Sequence, residues 1–114
     1  MKYMVMLTRG EWEASAPPAE QERIFAEIGA WWGRHVEEGT IVEGHQLQPP
    51  ETATTVVLGS GGNSTLIDGP FMEAKEAIGG YAIVDVADLD EAIAVFRTFP
   101  SPSSKAEIRP VVQR

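Results

Sequence analysis

Cysteine is absent from the chain. That absence removes disulfides, thiolate metal sites and thiol nucleophiles together. Histidine occurs only as His35 and His45, which leaves little for a histidine-built metal centre. Positive charge is scarce: Lys and Arg number 9 against 17 Asp and Glu, a formal charge of −8. A field of that sign repels phosphate backbones and anionic bilayers, so neither nucleic acid nor membrane is an expected partner. Long apolar runs are missing as well. Only about five apolar residues precede Thr8-Arg9-Gly10, too few for a signal h-region or a membrane span. A cytoplasmic location is the resulting expectation.

What remains is the composition of an ordinary globular protein. Of 114 residues, 43% are hydrophobic and 23% charged. That length holds one core and not two, so residues 1–114 are expected to form one domain.

Residues 2–8 are β-branched, aromatic and methionine-rich, and read as a strand. Gly10 to Pro18 reads as a loop, since Arg9-Gly10-Glu11 is polar and Pro17-Pro18 breaks an extended ladder. Pro18 then suits a first helical turn, with Glu20 and Glu22 favoured by the helix dipole. Ile24, Ile28, Trp31 and His35 recur at helical spacing, as do Phe25, Ile28, Trp32 and Val36. The spacing predicts a helix over 18–38, ended by Gly39. Gly29 costs that helix about 1 kcal/mol against Ala, and is expected to mark close packing.

Thr40 to Glu43 opens a second strand, and Gln48-Pro49-Pro50 interrupts it. Thr52–Leu58 and Ser64–Asp68 flank a glycine-rich turn and form a hairpin. The glycines at 59, 61 and 62 are not a phosphate loop, because no Gly-Lys-Ser/Thr ending and no helix follow them. Residues 72–77 read as a short polar segment with a helical turn. Tyr81 to Val86 is a strand. Asp88 and Glu91 form a capping-box pattern for a second helix, which Pro100 stops. Ala106 to Val112 is a last strand, with Pro110 marking an edge or an irregularity.

The order is β-α-β-β-α-β with an inserted β-hairpin, a ferredoxin-like α+β sandwich. Helices then cover one sheet face only. Trp31 and Trp32 point about 100° apart on one helix, so one core hardly takes both in full. Tyr3, Val5 and Leu7 alternate with Met4 and Met6, giving the first strand two apolar faces. A homodimer through the open sheet face is therefore expected, with a cavity between sheet and partner.

Several residues are candidates for chemistry. His45 beside Glu43 reads as a general base or as a half-exposed loop residue. His35 lies in the apolar series of the first helix and reads as a core or interface residue. Asp68-Gly69-Pro70-Phe71 is a sufficient turn in itself. Asp68 is alternatively an acid or base on a charged cleft rim, with Glu73, Lys75 and Glu76 beside it. Glu107 and Arg109 project on one strand face, opposite Ile108. Arg109 then either anchors a ligand carboxylate or forms an edge ion pair with Glu107. Tyr81 is a phenolic donor to a ligand or an amphipathic core tyrosine. No metal and no organic cofactor is implied.

The string Asp68-Gly69-Pro70-Phe71-Met72-Glu73-Ala74-Lys75-Glu76, followed by Gly79-Gly80-Tyr81, resembles the signature of DGPF-type proteins within the YCII-related family. Met1-Lys2-Tyr3-Met4, Leu47-Gln48-Pro49-Pro50, Asp88-Leu89-Asp90-Glu91-Ala92 and Ile108-Arg109-Pro110-Val111 fit the same pattern in the same order. The resemblance implies a ferredoxin-like fold of the dimeric α/β-barrel kind. It implies a family of largely unknown function, related to small-molecule enzymes that use a His/Asp acid–base pair in a cleft. The family histidine lies on the first helix, where this chain offers His35 near the C-terminal end. For DGPF-type proteins it also implies association with extracytoplasmic-function sigma factors. Two readings follow. One is a small-molecule site with lyase- or isomerase-like proton transfer by Asp68 or His45. The other is a ligand- or protein-binding regulatory module, whose acidic surface docks on a partner such as a sigma factor.

Overall fold

The computed structural model describes residues 1–69 and 78–114. Lys75 and the helical turn expected at 72–77 lie outside the described residues.

Strand β1 runs Lys2–Thr8, followed by a one-turn helix α1 (Trp12–Ser15) and the long helix α2 (Pro18–Glu37). Strand β2 is Ile41–Gln46. The inserted hairpin is β3 (Thr54–Leu58) and β4 (Ser64–Asp68). Strand β5 (Ile78–Asp85), helix α3 (Leu89–Phe96) and β6 (Ala106–Pro110) complete the order. The main sheet has the order β2-β5-β1-β6, with each neighbouring pair antiparallel. β1 and β2 thus run parallel on either side of β5, and β5 and β6 run parallel on either side of β1. These are two interleaved split β-α-β units, the ferredoxin-like arrangement expected from the element order.

Local chemistry accounts for most boundaries. Pro18 occupies the first turn of α2, where its missing N–H costs nothing. The Asp88 carboxylate accepts from the Glu91 N–H at 2.9 Å. Glu91 in turn reaches the Ala87 N–H at 3.2 Å, one residue before the cap. This reciprocal arrangement starts α3 as its capping-box sequence requires.

Several boundaries differ from expectation: β3 starts at Thr54 and not at Thr52, β6 ends at Pro110 and not at Val112, and two further differences bear on the site. The segment read as a loop at 10–18 contains α1, because Trp12 is an anchor: it is buried, and its indole N–H donates to Ser101 Oγ at 2.9 Å. The Glu11 N–H donates to Ser103 Oγ as well. Strand β5 starts at Ile78 and not at Tyr81, so Gly79 and Gly80 are strand residues. Both positions are crowded, Gly79 more so than Gly80. A Cβ on Gly80 would lie 3.1 Å from the His45 carbonyl oxygen, and one on Gly79 would lie 2.8 Å from Arg9 Cγ.

Alternation divides the sheet into two faces. Tyr3, Val5, Leu7, Ala82 and Val84 are buried under the helices. Trp31 is the large side chain of that core, with rings of Phe96 and Phe99 at 5.3 and 5.0 Å. Its indole N–H donates to Thr98 Oγ1 at 2.8 Å, so burial leaves no polar atom unpaired there. Trp32 is only half-buried, as the 100° offset requires. His35 stacks on Trp31 with ring centroids 4.2 Å apart, the packing role read from its place in the helix.

Met4, Met6, Tyr81 and Ile83 form the opposite face, half-exposed. Among the described residues, helices cover one face only. The hairpin β3–β4 stands apart from this body: Val56, Leu58, Leu66 and Ile67 on it are all exposed. The radius of gyration is 16.2 Å, against about 13 Å for a compact chain of this length. The arm accounts for the excess. Among the described residues, no helix is long and apolar enough to cross a membrane.

Candidate functional site

The sequence candidates fall into three places. His45 and Tyr81 are paired across β2 and β5, on the open sheet face, with ring centroids 6.0 Å apart. The Tyr81 hydroxyl donates to Glu43 Oε2 at 2.8 Å. That bond to a carboxylate raises the Tyr81 pKa above its ordinary value; desolvation and the charge of Glu43 add to it. The phenol is a donor, as the sequence suggested, but its acceptor is Glu43.

Arg109 and Glu107 share the open face on β6, opposite Met4 and Met6. Their ion pair spans 2.9 Å and both side chains are exposed. Ile108 packs on the core, which fixes this orientation. β6 and β2 are opposite edges of a four-stranded sheet, about 14 Å apart. Arg109 and His45 therefore do not meet within one chain.

Asp68 ends β4 on the exposed arm, paired with Thr54. Of the turn expected at Asp68-Gly69-Pro70-Phe71, the described part is Gly69, with φ 102, an N–H that donates to the Ala53 carbonyl at 2.7 Å and a carbonyl that accepts from Thr55 Oγ1; Pro70 and Phe71 lie outside the described residues. Among the described residues, no three His, Asp or Glu side chains gather as a metal site would need.

The best-formed concavity lies on the helix side of the sheet, and of the sequence candidates it includes only His45 among its lining residues. It is a cavity of about 490 Å³, within the usual range for small-molecule sites. Its floor is the end of the sheet, at Leu7, Gly44 and Gly80. Trp12, Phe99 and Ser101 close one side. α2 supplies the opposite wall, with Phe25, Ile28 and Trp32 around Gly29 and Gly33. Trp12 and Phe25 pack edge to face at 4.8 Å. Glu13, Thr8 and Gln46 add a polar side.

Glycine makes this space. Gly29 and Gly33 are one helical turn apart, and a Cβ built on either would meet no atom within 4 Å. Gly29 was expected to mark close packing. The structure reverses that: Gly29 is exposed and borders open space at the edge of the cavity. Gly44 does the opposite job, since a Cβ there would overlap the Trp32 ring. The indole therefore lies close against the strand and forms part of the cavity wall.

The sequence reading missed Trp12, Phe25, Phe99 and Gly33 as site residues. One signal was available: a tryptophan within a polar loop needs a buried partner. The expected cavity lay between the open face and a partner, whereas this one sits within a single chain.

Comparison with known proteins identifies relatives of the chain. An uncharacterized protein of Rhizobium meliloti (strain 1021) is 34% identical over 115 residues, covering 97% of this chain and 92% of that protein. The YCII-related domain matches residues 1–113. With a match from end to end and the fold that its motifs imply, the chain belongs to the YCII-related domain family, one of largely unknown function.

Proposed function

We propose that the chain binds a small, largely apolar molecule in the cavity between α2 and the sheet. One observation carries this reading: Gly29 and Gly33 leave bare backbone against a cavity of about 490 Å³ that aromatic rings surround. A glycine inside a helix costs about 1 kcal/mol relative to alanine. Two such costs on one face, with room for a side chain at both, are hard to explain by folding alone. Space for a ligand explains them.

Toluene tests it. Chemical shifts of the Trp12 and Trp32 indole N–H groups should move saturably as toluene is added. Gly33→Leu, which fills the space from α2, should abolish the response while the fold is kept. An unresponsive wild-type protein, or an unchanged response in the variant, overturns the reading.

The partner we propose is a second copy of the chain. Met4, Met6 and Ile83 give the open face a half-exposed apolar centre, and the arm exposes Val56, Leu58 and Leu66. An isolated two-stranded hairpin is marginal in water, so such an arm gains from a surface to lie on. Pairing of open faces would also enclose His45, Tyr81 and Glu43. These are the groups on which acid–base chemistry in a dimer cleft would rest, with Arg109 and Glu107 brought from the far edge by the partner.

A further inference from the structure

A second, more open recess adjoins the cavity. It has a volume of about 440 Å³ and shares Glu13, Phe25 and Gln46 with the inner chamber. Arg9 lines it, and the Arg9 stem lies against Gly79 on the inner chamber's floor. The two spaces are thus a chamber and its mouth.

The mouth is chemically distinct from the chamber. Arg9 Nη1 and Glu13 Oε1 are 3.8 Å apart, and both side chains are mostly covered, at 27% and 20% exposure. A separation that long is an ion contact, not a hydrogen bond. It leaves donor capacity on Arg9 and acceptor capacity on Glu13. Arg9 Nε is, among the described residues, a buried side-chain nitrogen with no hydrogen-bond partner. That nitrogen is closed to the recess, but no hydrogen bond among the described residues holds the terminal nitrogens of Arg9 either, so an acceptor from outside meets the guanidinium at those terminal N–H groups. The other polar side chains at the mouth, Gln46 and Gln48, are uncharged. Formal charges of Arg9 and Glu13 cancel.

Resting on the cavity reading, we infer that the ligand has a ring-containing apolar body in the chamber and a neutral head between Arg9 and Glu13. That head carries one acceptor and one donor, as a primary carboxamide does. Its oxygen accepts from a terminal N–H of the Arg9 guanidinium. Its N–H donates to the Glu13 carboxylate. A carboxylate head fits worse, because Glu13 repels it. An ammonium fits worse, because Arg9 does.

Benzamide, benzoate and toluene separate these possibilities. Each is titrated into the full chain and followed by the Trp12 and Trp32 indole N–H shifts. Benzamide should bind about fivefold more tightly than toluene, the equivalent of one net hydrogen bond. Benzoate should bind no more tightly than toluene. Arg9→Met should remove the benzamide advantage and leave toluene unchanged. Equal binding of benzamide and toluene, or benzoate as the tightest of the three, overturns the assignment of the head. Toluene uptake that Gly33→Leu abolishes would leave the cavity standing in either case, so the two readings fail separately.

Discussion

The indole of Trp32 lies where a side chain on Gly44 would stand. One residue belongs to α2 and the other to β2, so this overlap sets how closely the helix wall approaches the sheet floor. The cavity is the space that remains beside that contact. Its shape depends on a glycine that admits a ring and on two glycines that add nothing.

Gly44→Ala is expected to destabilise the fold by about 1–3 kcal/mol, the usual cost of overpacking. The new methyl would meet the Trp32 ring and, at 2.7 Å, the Tyr81 carbonyl oxygen. The backbone of a central strand cannot retreat, so the indole must. Denaturant unfolding gives the loss, and tryptophan emission should shift as Trp32 becomes more exposed. Unchanged stability would mean that the ring does not lie on the strand.

Gly29→Ala and Gly33→Ala should have the opposite sign. Each gains about 1 kcal/mol of helix propensity, and neither methyl meets an atom within 4 Å. Part of that gain comes from restricting the unfolded chain. Thermal unfolding should therefore show both variants more stable than wild type, with toluene bound more weakly. Destabilisation by either would show that the helix packs more tightly here than the cavity allows.

The fold was legible because its signals are local. The capping pair Asp88 and Glu91, Pro18 at a first turn, and the alternation of Tyr3, Val5 and Leu7 each act within a few residues. The candidate site was not, and the reason is physical. Its volume comes from Gly29 and Gly33, and a missing side chain has no periodicity to read. Gly79 and Gly80 fall before the strand read from Tyr81, because glycine is depleted in strands, yet both belong to β5, where Arg9 and the His45 carbonyl crowd them. Trp12 joins the site by a hydrogen bond to Ser101, and no short-range pattern connects those positions. The open-face grouping of His45, Tyr81 and Glu43 depends on register: Glu43 pairs with Ile83 and His45 with Tyr81, after a shift beyond Ile41. That shift is set by the sheet and leaves no mark in the strand's own sequence.

Met6→Lys should separate the two copies proposed to meet at the open face. Met6 sits between Tyr81 and Glu107 in the sheet register, near the middle of the half-exposed apolar patch. A lysine there can hold its charge in water in a single chain, but two would face each other across a closed interface. Sedimentation should show a dimer for wild type and a monomer for the variant, with the circular dichroism spectrum unchanged. A wild-type monomer at micromolar concentration would remove the dimer proposal.

Tyr81 and Glu43 give the fold a defined alkaline response. The neutral phenol donates to the carboxylate at 2.8 Å, and the phenolate would be repelled by it. Folding therefore holds the Tyr81 proton more tightly than the unfolded chain does, and the pKa lies above the ordinary value of 10.0. By linkage, the stabilising contribution is complete below pH 10 and is lost as pH rises through the folded value. Glu43→Gln keeps an acceptor oxygen and removes the charge. The Tyr81 pKa should then fall towards its ordinary value, and the alkaline loss of stability that it contributes should shrink. A titration of the Tyr81 ring signals by NMR, in wild type and variant, measures this directly. Coincident curves would mean that the phenol does not hold Glu43 in solution, and the open-face group would lose the one contact that joins its acid to its donor.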